Sequence, residues 1–348
     1  MPHRPSAPAF TTGKDSAPVR VTGARRKTTK AHRTTAPPHH RTTAPPHHRT
    51  TAPPHHRTTA PGTISAVDAL IPWYREHARE LPWREPDVSP WAILVSEIML
   101  QQTPVVRVLP AYRRWLELWP TPAALASDSP AEAVRQWDRL GYPRRALRLH
   151  ACARKITDEH AGSVPSTVEE LEKLPGVGAY TARAVAAFAF GKRAAPVDVN
   201  VRRVLARALS GYGDAGPATT KADFALMESF LPERDAPLFA AAVMELGATV
   251  CTSQKPRCAE CPIVSGCEWH RLGRPSYISS RRRQGYEGTD RQARGRLLGV
   301  LRNANAPVPR EELLRQWPDQ KQGAAALESL VADGLASETG PDEFWLPH

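Results

Sequence analysis

An all-α fold is what this sequence predicts, and three observations carry the expectation. Apolar residues recur at helical spacing from Thr63 to about His270. Proline and glycine cut that stretch into short helices at Pro72, Pro82, Pro104, Pro120, Pro130, Gly141, Pro165, Pro175, Gly191 and Pro232. Alternating apolar and polar runs of the strand type are scarce. About ten helices packed on one another are the expected architecture of residues 63–275.

Ahead of that domain stands a different kind of sequence. Residues 1–62 hold eleven basic side chains, from Arg4 to Arg57, against one acid, Asp15, so most of the net charge of +12 lies there. Almost nothing in this leader is apolar, and a segment that buries nothing cannot offset the entropy of ordering, so disorder is expected. The octapeptide Arg-Thr-Thr-Ala-Pro-Pro-His-His repeats from Arg33, Arg41 and Arg49 and breaks off after Arg57, a period too short and too polar for a solenoid. The leading reading is a dispensable tail, or translated sequence ahead of the true start. A nucleic-acid tether, a histidine metal tract and an organelle transit segment are the others. No apolar run of about 18 residues exists, which excludes an integral membrane protein. Nothing near Met1 has the apolar core of a secretory signal.

Within the helical domain, the run from Ser89 to Thr103 places Glu97 four residues after Ile93, three after Leu94 and three before Leu100, on the apolar stripe of a helix. Water withheld from a carboxylate raises its pKa and makes it a proton donor near neutral pH. The bland alternative is a glutamate at the stripe's edge that reaches solvent or caps a neighbour. From Val168 to Val185 runs a helix, a Leu-Pro-Gly-Val-Gly turn and a second helix, a helix-hairpin-helix. Gly176 and Gly178 let that turn approach another molecule, and the unpaired N–H groups of the next helix favour an anion such as phosphate. Such a grip reads no bases. In Val197-Asp-Val-Asn-Val, Asn200 is expected to cap a helix starting at Val201. Asp198, between two valines, is harder to explain as a surface charge. A second, ionised carboxylate facing Glu97 suits cleavage of a glycosidic bond, by analogy with sugar polymers.

Four of the five cysteines follow as Cys251-x6-Cys258-x2-Cys261-x5-Cys267, while Cys152 stands alone. So tight a loop of thiolates fits a [4Fe–4S] cluster or a tetrahedral zinc, and spacing does not choose between them. Few cysteines outside that loop fit a reduced compartment. A basic linker, residues 276–288 with Arg281, Arg282 and Arg283, leads to a last unit, 289–348. There helices over Asp290–Arg302, Arg310–Gln316 and Gly323–Asp333 and a Phe344-Trp-Leu end predict a small winged-helix-like segment, with a docked accessory bundle as the alternative.

Taken together, Leu81-Pro-Trp-Arg84, Ser96-Glu-Ile-Met-Leu-Gln-Gln-Thr103, Gly141-Tyr142, Leu174-Pro-Gly-Val-Gly-Ala-Tyr-Thr181, Val197-Asp-Val-Asn-Val and the cysteine run resemble the A/G-specific adenine DNA glycosylases, the MutY family. The likeness covers roughly residues 64–270, in the family's order. It implies a helix-hairpin-helix glycosylase fold, with a six-helix barrel domain beside a helical domain in which the four cysteines hold a [4Fe–4S] cluster. Endonuclease III shares that fold and cysteine spacing but carries a lysine where this chain has Tyr180, so the resemblance implies a monofunctional enzyme. By the same resemblance Glu97 would protonate adenine at N7, Asp198 would stabilise the cationic sugar, and Tyr180 and Asn200 would support that cation and the attacking water. Trp83 and Arg84 would contact the flipped base, Gln102 and Tyr142 would wedge into the duplex beside 8-oxoguanine, and Gly176 and Gly178 would hold phosphate.

The implied substrate is double-stranded DNA with adenine opposite 8-oxoguanine or guanine. The implied setting is base excision repair by a monomer in the bacterial cytoplasm, associated with the nucleoid, with replication or repair proteins as partners. Three departures bear on this. Pro143 follows Tyr142 where a second tyrosine is common, and Ala240-Ala-Ala stands where many relatives have Asn followed by Glu or Gln near the adenine. The short stretch after Cys267 does not resemble the MutT-like domain that helps relatives recognise 8-oxoguanine, and it matches instead the shortened actinobacterial-type members. The competing expectations are an endonuclease III-like lyase and a non-catalytic iron–sulfur DNA-binding regulator.

Overall fold

Serine or threonine followed by proline opens three of the first five helices. The hydroxyl accepts the N–H of the third helical residue while proline supplies the fixed φ of the first position. Ser89 does this for Ala92, Thr121 for Ala124 and Ser129 for Glu132. The computed structural model describes residues 62–216, 219–275 and 285–347. The repeats of the leader and the Arg281–Arg283 run lie outside the described residues.

A first helix, α1 (Gly62–His77), is followed by a 3-10 turn at Pro82–Arg84. Then come α2 (Pro90–Leu100), α3 (Val105–Leu118), α4 (Pro122–Ala126), α5 (Pro130–Trp137) and α6 (Arg144–Glu159). The hairpin follows as α7 (Val168–Leu171) and α8 (Ala179–Phe190), and after it α9 (Val199–Ser210), α10 (Lys221–Phe230) and α11 (Ala236–Thr249). A short α12 (Glu268–Arg271) closes the cysteine loop. Glycine ends α8 and α9 in the left-handed conformation, at Gly191 (φ 65°) and Gly211 (φ 70°).

Two apolar cores result. One is built from α2 to α8 around Leu94, Trp115, Trp137, Leu149 and Val185. The other joins α1 to α9, α10 and α11 around Leu70, Val201, Met227 and Leu246, with Cys251 and Cys261 packed against it. The helix that begins the domain therefore packs with its last third, and Phe188 of α8 touches both cores. Cys152 is a buried core thiol, pushed up to about 12 by burial and so inert.

The C-terminal unit is α13 (Asp290–Asn303), β1 (Val308–Pro309), α14 (Arg310–Leu314), α15 (Gln320–Ala332), β2 (Ser337–Gly340) and β3 (Glu343–Trp345). Its strands form one antiparallel sheet in the order β1-β3-β2. A helix, a strand, two helices and a hairpin returning to the first strand make the winged-helix arrangement, so the sheet decides against a bundle. The unit does not stand apart, however. Leu297, Leu301, Leu327, Phe344 and Leu346 belong to the same continuous core as α2 to α8. Arg135 of α5 donates to Arg302 O at 3.0 Å and lies over the Trp345 ring, and Arg144 of α6 pairs with Asp333 at 3.1 Å.

Helices α9 and α11 cross at Gly247, where an added Cβ would lie 2.8 Å from both Asn200 Cβ and Asn200 O. Backbone cannot yield as a side-chain tip can, so Gly247→Ala is expected to cost about 1–3 kcal/mol and to lower the thermal unfolding midpoint by several degrees. A melt followed by circular dichroism checks this, and an unchanged midpoint would mean that the helices part without cost.

Candidate active site

Helix α2 brings Glu97 inward because its neighbours Ile93, Leu94 and Ile98 are all core residues. Glu97 itself is 5% exposed. Its Oε2 is buried with no hydrogen-bond partner among the described residues. Burial raises its pKa to about 7; the Tyr180 hydroxyl and the charge of Arg84 oppose the rise, and the negative charge of Asp198 adds to it. The sequence pattern that put a carboxyl on an apolar stripe thus corresponds to a desolvated acid.

Asp198 lies against the same group, and its role at the helix start differs from the expectation. The residue that caps α9 is Asp198, not Asn200: its Oδ1 accepts from the backbone N–H groups of Asn200 at 2.9 Å and Val201 at 2.8 Å. Aspartate is as good a cap as asparagine, and the helix simply begins two residues earlier. Asn200, inside the first turn, donates from its amide to Asp198 Oδ2 at 2.7 Å. Burial raises the pKa of Asp198, while the donors of Val201 and Asn200 hold its anion.

Tyr180, in the first turn of α8, projects to the same place. Burial keeps its phenol well above its ordinary pKa, with Glu97 and Asp198 adding to the effect, so it is a neutral hydrogen-bond donor. Its hydroxyl lies 3.8 Å from the sulfur of Met244 on α11. Glu97, Tyr180, Asp198 and Asn200 are thereby brought together. Arg84 joins them from the 3-10 turn, with its guanidinium 5.5 Å over the Tyr74 ring. Trp83 leans edge-on against Tyr112 of α3, ring centres 5.2 Å apart.

Gln102 and Tyr142 sit on two tight turns, both with left-handed backbone, φ 55° and 48°. Arg145 ties those turns together. It donates to the carbonyls of Ile98, Met99 and Gln101 at the end of α2, and also to Thr103 Oγ1 and Gly141 O. Tyr142 is 48% exposed, with Arg145 and Arg291 of α13 each 5.7 Å from its ring centre. In the hairpin, Gly176 has φ 81° and lies so close to Arg148 that a Cβ would come within 3.0 Å of that side chain. Gly178 precedes α8 with open space beside it and no side chain capping the helix. Gln101 reaches across to Gly176 O and Thr181 Oγ1, both at 3.3 Å.

The four clustered cysteines line one cavity with Val250, Pro256, Val264 and Trp269. Arg207 of α9, 3% exposed and stacked 4.3 Å from Trp269, points a guanidinium nitrogen at Cys251 Sγ, 3.4 Å away. A buried cation aimed at sulfur suits thiolate or an anionic cluster. Among the described residues no three His, Cys, Asp or Glu side chains form a site for a single metal ion.

Several residues of this site were missed by sequence reasoning. Arg145 and Glu245 each stand on the apolar stripe of a helix, the signal that pointed to Glu97, and applying it to every charged residue finds them. Glu245 has no exposure at all and accepts from Arg79 and Arg84. Arg203, which donates to Asn200 Oδ1, Gly247 O and Cys251 O, carries no such mark, because its partners are set by how α9 and α11 cross.

Known proteins resemble this chain in sequence and in fold. Residues 95–230 match the family described as HhH-GPD superfamily base excision DNA repair protein. The chain is 54% identical over 281 residues to an adenine DNA glycosylase of Mycobacterium tuberculosis, a match that spans 80% of this chain and 92% of that one. It is 52% identical over 286 residues to the adenine DNA glycosylase of Mycolicibacterium smegmatis, spanning 82% and 96%. Among solved structures, a thermostable thymine-DNA glycosylase superposes with a TM-score of 0.55 at 28% identity, over 60% of this chain and 97% of that one. Among the described residues no helix is long and apolar enough to cross a membrane. With 54% of the aligned residues identical across 92% of a relative, the chain belongs to the adenine DNA glycosylase family.

Proposed function

We propose that the chain is a monofunctional adenine DNA glycosylase of base excision repair, hydrolysing the N-glycosidic bond of adenine opposite 8-oxoguanine or guanine in double-stranded DNA. One observation carries the reading: two buried carboxyl groups share a site that supplies donors to one and leaves an oxygen of the other bare. Glu97 has an oxygen without a donor and keeps its proton to about pH 7. Asp198 receives three N–H groups that hold an anion. An acid and an anion set apart by environment are what cleavage of a glycosidic bond needs.

In this reading the duplex gives up its adenine to the site of Glu97, where Trp83 and Arg84 contact the base. Glu97 passes its proton to N7, the bond from the sugar carbon to N9 breaks, and the bonding electrons leave with the base. Asp198 faces the positive charge left on the sugar, with Tyr180 and Asn200 beside it. Water then attacks that carbon and gives its proton to the Glu97 carboxylate, which restores the acid and leaves free adenine and an abasic site. Tyr180 has no amine to form a Schiff base, so the strand stays intact. The turns of Gln102 and Tyr142 face the opposite strand, and the hairpin at Gly176 and Gly178 holds backbone phosphate. Both carboxyl groups come from one chain, so the reading needs no second copy.

Cys251, Cys258, Cys261 and Cys267 would hold a [4Fe–4S] cluster. The four sulfurs line one cavity, and Arg207, aimed at Cys251, would balance the negative charge of the cluster. A bound cluster supplies cross-links that fold the loop around it. Purified protein is then expected to carry iron and sulfide in equal amounts and no zinc, as elemental analysis would show. Cys258→Ser should lose the iron and lower the melting point, and stoichiometric zinc in its place overturns the assignment.

The function is tested by single-turnover excision on duplexes with A opposite 8-oxoguanine, G or C, with and without hot alkali. Breaks at the adenine strand that appear only after alkali are expected. Breaks without alkali, or a covalent adduct trapped by borohydride, would point to a lyase instead. Glu97→Gln should lower excision at least about a hundredfold while duplex binding persists. Because Glu97 works in its protonated form, the wild-type rate should fall as pH rises through about 7. A rate that climbs through that range would remove Glu97 as the proton donor.

A further inference from the structure

Glu245 has no part in the steps above, yet no carboxylate in the described structure is better held. Its side chain is wholly buried on α11. Oε1 accepts from Arg79 Nε at 2.6 Å and from the Arg79 backbone N–H at 3.2 Å. Oε2 accepts from Arg79 Nη2 at 2.9 Å and from Arg84 Nη2 at 2.8 Å. Burial alone would raise its pKa, but the bonds from Arg79 and the charge of Arg84 outweigh that and keep it ionised. Tyr74 lies against the same group, beneath Arg84. One negative charge therefore faces two positive ones, and Arg84 in turn faces Glu97.

We propose that Glu245 is a positioning residue for base excision. It fixes the guanidinium of Arg84 at the base pocket and balances the charge that Glu97 meets there. The inference rests on the reading of Glu97 as proton donor. Length and direction fit the role: Arg84 stands at the end of a three-residue turn and is oriented, among the described residues, by Glu245, the Arg79 carbonyl at 3.3 Å and the Tyr74 ring. Residue Met244, next on the same helix, touches Tyr180, so α11 sets both the phenol and the guanidinium that border Glu97. Besides these, the charged or titratable groups that face Glu97 are Tyr180 from α8 and Asp198 from the start of α9.

A charge-balancing role and a merely structural one differ in pH dependence. In Glu245→Gln two guanidiniums are left uncompensated, which favours the Glu97 anion. In Arg79→Gln the carboxylate opposes Arg84 alone, which favours the neutral acid. Arg79 is 40% exposed, so its loss spares the core. Single-turnover excision of adenine opposite 8-oxoguanine, followed from about pH 5.5 to about 9, should show the alkaline fall of Glu245→Gln displaced to lower pH by about one unit. At the alkaline end that is about a tenfold loss against wild type, with little change at the acid end. Arg79→Gln should move the fall the opposite way. Equal loss at every pH, unmoved falls, or shifts of the same sign in both variants would overturn the proposal. Should Glu245→Gln fail to fold, Arg79→Gln decides alone. Glu97→Gln is run beside them: excision persisting there sinks the parent reading, whereas its loss alongside unmoved pH profiles sinks this one only.

Discussion

A carboxyl group enclosed by an apolar barrel has three ways out: it finds donors, gives up its charge, or is drawn back to water. Glu97 is held to the second. The helix that carries it is buried along almost its whole length, so it cannot turn outward without exposing Ile93, Leu94 and Ile98. Leaving an oxygen of such a group without a partner costs about 1–3 kcal/mol. The barrel core, with its interlocked tryptophans Trp115, Trp119 and Trp137, offsets that cost. Burial and the charge of Asp198 keep this acid proton-bearing against the pull of the Tyr180 hydroxyl and Arg84. Glu245 is its opposite, equally buried but wrapped in donors, and the contrast shows that environment and not residue type sets what a glutamate does.

Around that acid the site is assembled from helix beginnings and crossings. Asp198 and Tyr180 both stand at or near the first turn of a helix, where backbone N–H groups are free to hold an anion. Gly247 lets α11 lie flush against Asn200, and the residues before it reach Tyr180 and Arg84. From Asn200 to Arg203 to Arg207, successive turns of α9 run from the Asp198 carboxylate to the cavity lined by the cysteines. The same short helix thus serves both ends of its domain.

The sequence made the helices, the buried acid, the hairpin and the cysteine loop legible, because each leaves a local mark: a period, a cap, a glycine pair, a spacing. The winged-helix ending was legible as helices, although its first strand, two residues long, left no pattern. Asn200 was misplaced by two residues because aspartate and asparagine cap equally well. What was not legible is contact at long range. Arg79 meets Glu245 across 166 residues of chain and Arg135 meets Arg302 across 167. No local rule announces such partners, and an arginine destined for a buried pair looks the same in sequence as one destined for water.

The shared core of the barrel and the C-terminal unit has a consequence for how such chains can change. A unit that merely hangs from a linker can be exchanged, lost or acquired with little disturbance. Here Leu297, Leu301, Phe344 and Leu346 complete an interior to which Trp137 and Ala146 also belong. Shortening the chain before them would open that interior to water, and grafting a foreign ending would demand a matching apolar face. In this chain the last sixty or so residues and the helical body therefore share one interior, and a change on one side of it is felt on the other.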